Sequence, residues 1–340
     1  MKVAMYYRND DVRLEEMPKP EIGPGEILVK VHACGICGSD VLEWYRVKTA
    51  PRVLGHEIGA EIVELGEGVD GYSPGDRVFV SHHVPCNTCR YCLKGHHTAC
   101  ETLHSTNFYP GGLSEFVRVP GINIDRGTFR IPDELRYDEA VMFEPLACVV
   151  RGQRILGIKP GDSVLVLGSG VAGILHIQMA RNAGAGNIIA TDINDYRIGA
   201  AKRFGADYAL SALGDVPEEV REKNGGMLAD HVVLCTGAKK AIGQALNSVE
   251  RGGTIMFFAV PPPGEDVPVP MGRFWRDEIS LRTSYAASPG DILRAVELVK
   301  SGRVNVRDMI THSFPISRVQ EAFLMVASAG ESLKVLVNPI

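Results

Sequence analysis

The segment from Ser163 to Asp192 constrains the fold more than any other part of the chain. The run Ser163–Leu167 has the apolar character of a strand buried in a parallel sheet. It leads into Gly168-Ser-Gly170-Val-Ala-Gly173 and a helical segment, and Asp192 follows about 20 residues after the last of these glycines. A strand, a GxGxxG loop, a helix and an acid in this order predict a dinucleotide-binding βαβ unit.

The glycines of this loop would let the backbone approach a pyrophosphate at the helix N-terminus. Asp192 can accept hydrogen bonds from the adenosine ribose, and its charge repels a 2′-phosphate, so NAD is favoured over NADP. Arg197 would soften that preference if it reached the ribose. The predicted cofactor-binding residues are Gly168, Gly170, Val171, Ala172, Gly173, Asp192 and Arg197.

The following αβ repeats predict a doubly wound parallel sheet. Further strands are predicted at 187–191, 206–210, 231–235, 253–259 and 279–283. Helices are predicted at 195–204 and 239–249, with a helix, a strand-like segment, a second helix at 316–327 and a terminal strand at 333–337 after Pro289. By contrast, the first 130 or so residues contain short β-type runs between turn signals, including Leu113–Val119, and predict a mainly β domain.

This β-rich region contains a thiolate, an imidazole and a carboxylate close together in sequence, at Cys37, His56 and Glu57. These are the ligand types that zinc takes. Gly35 and Gly55 lie beside them and would allow the sharp turns that bring ligands together. The segment therefore predicts a metal site, although a cysteine and a histidine this close are often unrelated core residues.

A second constellation has the spacing C-x2-C-x2-C-x7-C. Its members are Cys86, Cys89, Cys92 and Cys100. Four thiolates close a tetrahedral zinc shell without an open position, which predicts a structural zinc. An iron–sulfur cluster is the alternative use of the same cysteines.

The motif Cys-Gly-Ile-Cys-Gly-Ser-Asp (Cys34–Asp40) and the later Gly-His-Glu (Gly55–Glu57) resemble the catalytic zinc motif of the medium-chain dehydrogenases, the zinc alcohol dehydrogenase superfamily. The resemblance covers almost the whole chain. It implies a GroES-like catalytic domain over 1–149 with a structural-zinc lobe at about 82–104. It also implies a Rossmann domain with a doubly wound parallel sheet over 150–288 and a return of the chain to the catalytic domain over 289–340. The predicted fold class of the whole protein is therefore α/β.

The same resemblance implies two zinc ions per chain, one catalytic and one structural. Cys37 and His56 would hold the catalytic zinc, and Asp40 would orient His56. Glu57 would be a ligand or a neighbour that exchanges with water. The segment at Glu144 resembles that of polyol and threonine dehydrogenases whose Glu lies on or near the zinc. The third zinc ligand would therefore be either Glu57 or Glu144.

The family chemistry implied is hydride transfer from an alcohol to NAD, with Ser39 as the first acceptor of the hydroxyl proton. Many relatives have a relay histidine where this chain has Leu42, so Glu43, His82 or water would have to complete the relay. The predicted substrate residues are Trp44 and Tyr285, by similarity to polyol dehydrogenases.

The expected substrate is therefore a secondary alcohol with a neighbouring hydroxyl, such as a polyol, sugar alcohol or sugar acid. L-threonine 3-dehydrogenase and a simple secondary alcohol dehydrogenase are alternatives within the family. A non-catalytic or zinc-free type of member is the alternative of a different class.

Composition limits the partners. Lys and Arg total 36 against 41 acids among 340 residues, a net charge of −5, and no basic run occurs, which argues against nucleic acid. Because the N-terminus is charged too early for a signal peptide and no apolar run reaches roughly 18 residues, we expect a cytoplasmic protein without a membrane partner. The resemblance implies a homodimer or homotetramer.

Overall fold

The computed structural model describes all 340 residues and divides into two compact units. The first unit consists of Met1–Ala147, Ala287–Gly302 and Val306–Ile340. The second consists of Cys148–Ala286 and Arg303–Asn305. None of the helices has both the length and the apolar character needed to cross a membrane.

The chain forms sixteen strands and thirteen α-helices. The strands are β1 (Lys2–Arg8), β2 (Asp11–Glu16), β3 (Ile27–Gly35), β4 (Arg52–Val53), β5 (Glu57–Leu65), β6 (Arg77–Val80), β7 (Phe116–Val119), β8 (Thr128–Arg130), β9 (Ser163–Leu167), β10 (Asn187–Asp192), β11 (Tyr208–Ser211), β12 (Ala229–Leu234), β13 (Val249–Phe257), β14 (Ser280–Thr283), β15 (Ile310–Pro315) and β16 (Lys334–Asn338). The helices are α1 (Glu43–Arg46), α2 (Arg90–Leu93), α3 (Glu101–Ser105), α4 (Gly121–Gly127), α5 (Tyr137–Ala140), α6 (Phe143–Leu156), α7 (Val171–Asn182), α8 (Asp195–Arg203), α9 (Val216–Lys223), α10 (Lys239–Asn247), α11 (Met271–Arg276), α12 (Pro289–Lys300) and α13 (Val319–Ala327).

The first unit is mainly β and contains two sheets. A seven-stranded sheet has the order β15-β16-β3-β5-β6-β8, with β7 also paired to β3, and a three-stranded sheet has the order β2-β1-β4. Most side chains of β3 are buried, and they share one apolar core with β1, β5 and β16. The last strand, β16, pairs antiparallel with β3 at Leu336–Gly35 and Val337–Cys34. The C-terminus of the chain therefore lies beside the segment that carries Cys37.

The second unit contains a six-stranded sheet of order β11-β10-β9-β12-β13-β14, parallel throughout. This is the strand order of a doubly wound dinucleotide-binding fold. Every residue of β9 is buried, as its apolar sequence predicts for the centre of such a sheet. The mainly β unit and the doubly wound unit confirm the predicted fold class.

Some predicted element boundaries are wrong. The predicted strand at 113–119 begins only at Phe116, because Leu113 is bonded elsewhere: its N–H donates to Leu54 O at 3.0 Å and its carbonyl accepts from Ala4 N at 2.8 Å. The predicted helix at 316–327 starts as a 3-10 turn, Ile316–Arg318, and becomes α-helical at Val319. Helix α9 was not predicted, because its sequence is mostly charged and only two of its side chains are buried.

Candidate active site

Two neighbouring strands bring the first predicted ligand set together. Cys37 follows the end of β3, and Glu57 is the first residue of β5. Because the strands are antiparallel and Gly35 is paired with Glu57, these two ends lie side by side. The ligand atoms of Cys37, His56 and Glu57 all lie within 4.8 Å of one another.

Two glycines make this approach possible. A side chain at Gly35 would overlap the Glu57 carboxylate, so only glycine leaves room for it. Gly55 has φ +90°, a conformation that L side chains rarely adopt, and a Cβ there would lie 2.6 Å from Cys34 Sγ. The glycines that flank the motif are therefore needed for the geometry of the cluster.

Hydrogen bonds hold the ligands in position. Asp40 Oδ2 accepts from the Cys37 N–H at 3.1 Å, and Cys37 Sγ accepts from the Ser39 N–H at 3.4 Å. Asp40 Oδ1 lies 3.5 Å from His56 Nδ1. Burial opposes ionisation of Asp40, but His56 and Arg46 outweigh it and lower the pKa of Asp40. Burial would likewise lower the pKa of His56, yet Asp40 and Cys37 raise it well above its ordinary value. The pocket therefore favours positive charge on or beside His56.

A buried cation faces the other side of the cluster. Lys334 Nζ donates to Glu57 Oε2 at 2.5 Å and to Ile36 O at 3.5 Å, and only 2% of its side chain is exposed. Burial disfavours its charge, but Glu57, Cys37 and Glu144 together raise the pKa of Lys334. Lys334 was not predicted from the sequence. The available signal is a single lysine at the start of a mainly apolar terminal strand.

One oxygen of this cluster has no partner. Glu57 is fully buried, and its Oε1 makes no hydrogen bond, although Oε2 is bound to Lys334. A buried carboxylate oxygen without a partner is costly. A thiolate, an imidazole and a free carboxylate oxygen at this spacing fit a zinc ion with three protein ligands, which leaves a further coordination position open.

Glu144 lies in the first turn of α6 and contributes to the field at Lys334. It is not among the three residues whose ligand atoms cluster within 4.8 Å. The geometry therefore groups Glu57 with Cys37 and His56, and puts Glu144 in the electrostatic surroundings of the same site.

The four predicted lobe cysteines also meet. Sγ–Sγ distances are 3.5 Å for Cys86 and Cys100, 3.6 Å for Cys89 and Cys92, and 4.0 Å for Cys86 and Cys92. A tetrahedral zinc with bonds of about 2.3 Å requires sulfur–sulfur edges of about 3.8 Å. The observed spacing fits that shell. None of the eight cysteines of the chain forms a disulfide.

Backbone amides support negative charge in this lobe. Hydrogen bonds from Thr88 and from the Cys89 N–H lower the pKa of Cys86 to about 5, whereas burial raises the pKa of Cys92 to about 12. Four sulfurs this close cannot all ionise without a cation. A divalent ion would supply the missing charge, which is consistent with a closed, structural type of site.

The side chains near Ser39 bear on the predicted proton relay. Leu42 is 42% exposed at the start of α1, and the Glu43 carboxylate accepts from the Asn9 N–H at 3.3 Å. The His82 ring packs 4.7 Å from that of His56, and burial lowers its pKa well below the ordinary value. No hydrogen bond joins Glu43 or His82 to Ser39. Arg46, which was not predicted, donates to the Ser39 hydroxyl at 2.9 Å.

The glycine-rich loop between β9 and α7 turns sharply and packs closely. Gly168 has φ +93°, and a Cβ at Gly173 would overlap Gly168 O, so helix α7 can pack this closely only with glycine there. The two oxygens of Asp192 accept from the N–H groups of Ser169, at 2.8 Å, and Asn194, at 3.0 Å. Arg197 Nη1 lies near Gly170, 3.8 Å from the position that a Cβ would occupy. The carboxylate of Asp192 and the guanidinium of Arg197 therefore lie on either side of the loop.

The two predicted substrate residues lie in different units. Trp44 is on α1 of the first unit, 38% exposed and in ring contact with Tyr45. Tyr285 follows β14 in the second unit and is 52% exposed.

Comparison with known proteins agrees with this architecture. Residues 23–133 match the family model of the alcohol dehydrogenase GroES-like domain, and residues 172–301 match that of the zinc-binding dehydrogenase. Sorbitol dehydrogenase of Gallus gallus is 31% identical over 346 residues, covering 98% of this chain and 95% of the relative. A Neosartorya fischeri protein named Probable D-xylulose reductase A is 33% identical over 343 residues, covering 97% of this chain and 94% of the relative.

Among solved structures, one described as a zinc-binding dehydrogenase from Sinorhizobium meliloti 1021 bound to NADP has a TM-score of 0.88 and 29% identity, covering 99% of both chains. Together with the two units and the ligand cluster, these similarities show that the chain belongs to the zinc-dependent medium-chain dehydrogenase family. Within that family it is an oxidoreductase of the polyol-dehydrogenase type.

Proposed function

We propose that this protein is an NAD-dependent dehydrogenase that interconverts a secondary alcohol, flanked by a second hydroxyl, and its ketone. The observation that carries the proposal is the cluster of Cys37, His56 and Glu57 with its unpartnered Glu57 oxygen. Relatives named sorbitol dehydrogenase and D-xylulose reductase support a polyol as the substrate.

In this proposal Cys37, His56 and Glu57 hold the catalytic zinc, and the four lobe cysteines hold a structural one. Zinc supplies a Lewis acid that lowers the pKa of an alcohol hydroxyl, and NAD supplies the hydride acceptor. Asp40 keeps His56 oriented, since it is anchored to the Cys37 N–H. Lys334 offsets the negative charge of Glu57, and Glu144 remains a candidate exchanging ligand.

Ser39 would take the hydroxyl proton. Its neighbours support a route that does not run through Glu43, which is bound to Asn9, or through a histidine at position 42, which is leucine. Ser39 would pass the proton on to water or to the cofactor ribose. Trp44 and Tyr285 are retained as candidate substrate residues.

The preference for NAD rests on Asp192. Two backbone N–H groups fix its carboxylate at the loop, where a 2′-phosphate would meet its negative charge. The positive charge of Arg197, which lies near Gly170, would instead favour a 2′-phosphate. One of the similar solved structures is described as bound to NADP. Asp192→Ala should therefore lower the ratio of kcat/KM with NAD to kcat/KM with NADP. An unmodified protein that already prefers NADP would contradict this assignment.

We further infer a cytoplasmic homodimer or homotetramer, with the domain limits 1–149, 150–288 and 289–340. Strand β14, at the edge of the parallel sheet, is the element through which two copies would join. Sedimentation that gives a monomer would contradict this inference.

The experiment is NAD reduction, with NADP in parallel, across xylitol, D-sorbitol, vicinal diols, sugar acids, L-threonine and 2-propanol. We expect turnover with NAD to be confined to substrates with neighbouring hydroxyls. Best turnover with L-threonine would instead favour threonine dehydrogenase, and best turnover with 2-propanol a simple secondary alcohol dehydrogenase. No turnover by a protein with one zinc per chain would favour the non-catalytic alternative.

A further inference from the structure

The side chain of Arg46 reaches back from the last residue of α1 to the turn that follows Cys37. Its Nε donates to Ser39 O at 3.0 Å, and its Nη2 donates to Ser39 Oγ and to Asp40 Oδ1, both at 2.9 Å. The guanidinium also lies over the Tyr45 ring, with Cζ 4.7 Å from the centroid. Only 14% of the Arg46 side chain is exposed. The guanidinium is therefore held in one place.

This contact fixes the direction of the Ser39 hydroxyl. A guanidinium has donors and no acceptor, so Ser39 Oγ must accept from Arg46. The hydroxyl hydrogen is then turned away from Arg46, and one lone pair of Oγ remains for another donor. A histidine at position 42 could exchange a proton with Ser39, whereas Arg46 cannot, because it keeps its protons.

The contact exceeds what the local fold requires. Asp40 already caps the turn by accepting from the Cys37 N–H, and it also faces His56 Nδ1. A merely structural arginine would need only Asp40 and the Ser39 carbonyl. The additional bond to Ser39 Oγ acts on the one hydroxyl that the proposed reaction uses.

We propose that Arg46 is a positioning residue that holds the Ser39 hydroxyl toward the substrate alcohol, in a chain whose Leu42 leaves no relay histidine. This inference rests on the proposed function. It adds to that function a residue that neither the zinc motif nor the nucleotide loop contains.

The test is a double-mutant cycle of Arg46→Met and Ser39→Ala, measured as kcat/KM for xylitol with NAD. In the Ser39 background we expect Arg46→Met to lower kcat/KM about 10- to 100-fold, the range for losing a hydrogen bond to a charged group. In the Ser39→Ala background we expect less than about a 3-fold further loss, since Arg46 would act through that hydroxyl. Equal losses in both backgrounds would overturn the proposal and leave Arg46 a partner of Asp40 only.

Two further variants protect the test against misfolding. Arg46→Lys keeps a cation beside Asp40 but not the planar guanidinium with its fixed donors, so the variant should fold and retain zinc. Its kcat/KM should still be lower than that of the parent, and this decrease should disappear when Ser39→Ala is also present. Arg52→Met is the matched control, because Arg52 reaches only Thr49 Oγ1 at 3.5 Å, and its kcat/KM should stay within about 2-fold of the parent value. Loss of zinc in Arg46→Lys would contradict the proposal, since it would make the residue a support of the ligands.

A readout without turnover separates this inference from the proposed function. In cobalt-substituted protein, xylitol binding should shift the visible absorption bands of the metal, and Arg46→Met should weaken xylitol binding only when Ser39 is present. A band shift without NAD reduction would contradict the proposed reaction, and the same four proteins, compared by xylitol affinity instead of turnover, would still test Arg46. If the parent protein shows neither a band shift nor turnover, both the proposed function and the proposed role of Arg46 are contradicted.

Discussion

The lobe from Cys86 to Cys100 brings four sulfurs together within one short segment, whereas the cluster at Cys37 brings a sulfur, a nitrogen and an oxygen together from the ends of two strands. In the lobe, the backbone turns of the segment itself set the sulfur spacing. At Cys37, β3, β5 and β16 must all be in place before Glu57 and Lys334 can meet. The proposed closed site is thus local, whereas the proposed open site depends on the whole sheet and on the buried charge of Lys334.

The largest effect is expected at the open site. Cys37→Ser should lower kcat for polyol oxidation about 10³-fold or more, because the Lewis acid is worth several kcal/mol of transition-state stabilisation. The melting temperature should fall less than in a variant of the four-cysteine lobe, since Lys334 still balances the Glu57 charge when this metal is absent. Cys34→Ala is the control, as this neighbouring thiol is outside the ligand cluster and should leave turnover nearly unchanged. Equal loss in both variants would contradict the assignment of Cys37.

The opposite pattern is expected in the lobe. Cys89→Ser should lower the free energy of unfolding by about 3 kcal/mol or more, because metal binding in such a site is part of the folding free energy. Denaturant titration gives this difference, and Cys235→Ala, a cysteine of the second unit, is the control for thiol loss. A Cys89→Ser protein as stable as the parent would show that the lobe does not need a metal to fold.

The buried ion pair sharpens the contrast, because it couples stability to the open site. Lys334→Met leaves the Glu57 carboxylate buried without its cation, which should cost about 3–5 kcal/mol in zinc-free protein. Zinc should restore part of this loss, since it supplies positive charge to the same carboxylate. Lys30→Met, a partly exposed lysine of β3, should cost far less. If added zinc does not restore stability, Glu57 is not part of the metal shell.

The smallest expected effect is on pH. The pKa of His56 is raised in the metal-free site, so protons compete with zinc over a range that extends above the ordinary histidine value. As pH falls, zinc affinity at the open site should drop about tenfold per unit for one competing proton. Metal content after gel filtration at pH 8 and pH 6 checks this. An open site that retains zinc equally at pH 8 and pH 6 would contradict the proposed ligand role of His56.

The extent of sequence-based prediction follows the same division. The cysteine spacing and the GxGxxG loop were predictable, because their geometry is fixed by residues that are close in sequence. The pairing of Glu57 with Lys334 was not, since these residues meet only through the register of β16 against β3. The bond from Arg46 to Ser39 was missed for a different reason: the residues are near in sequence, but the direction of a long side chain is set by packing.

The proposed function requires an open and a closed zinc site in the same chain. The decisive measurement is zinc per chain in the purified parent protein, in Cys37→Ser and in Cys89→Ser. We expect about two equivalents in the parent and about one in each variant, with one zinc assigned to each ligand set. One equivalent in the parent, or an unchanged content in Cys37→Ser, would contradict it.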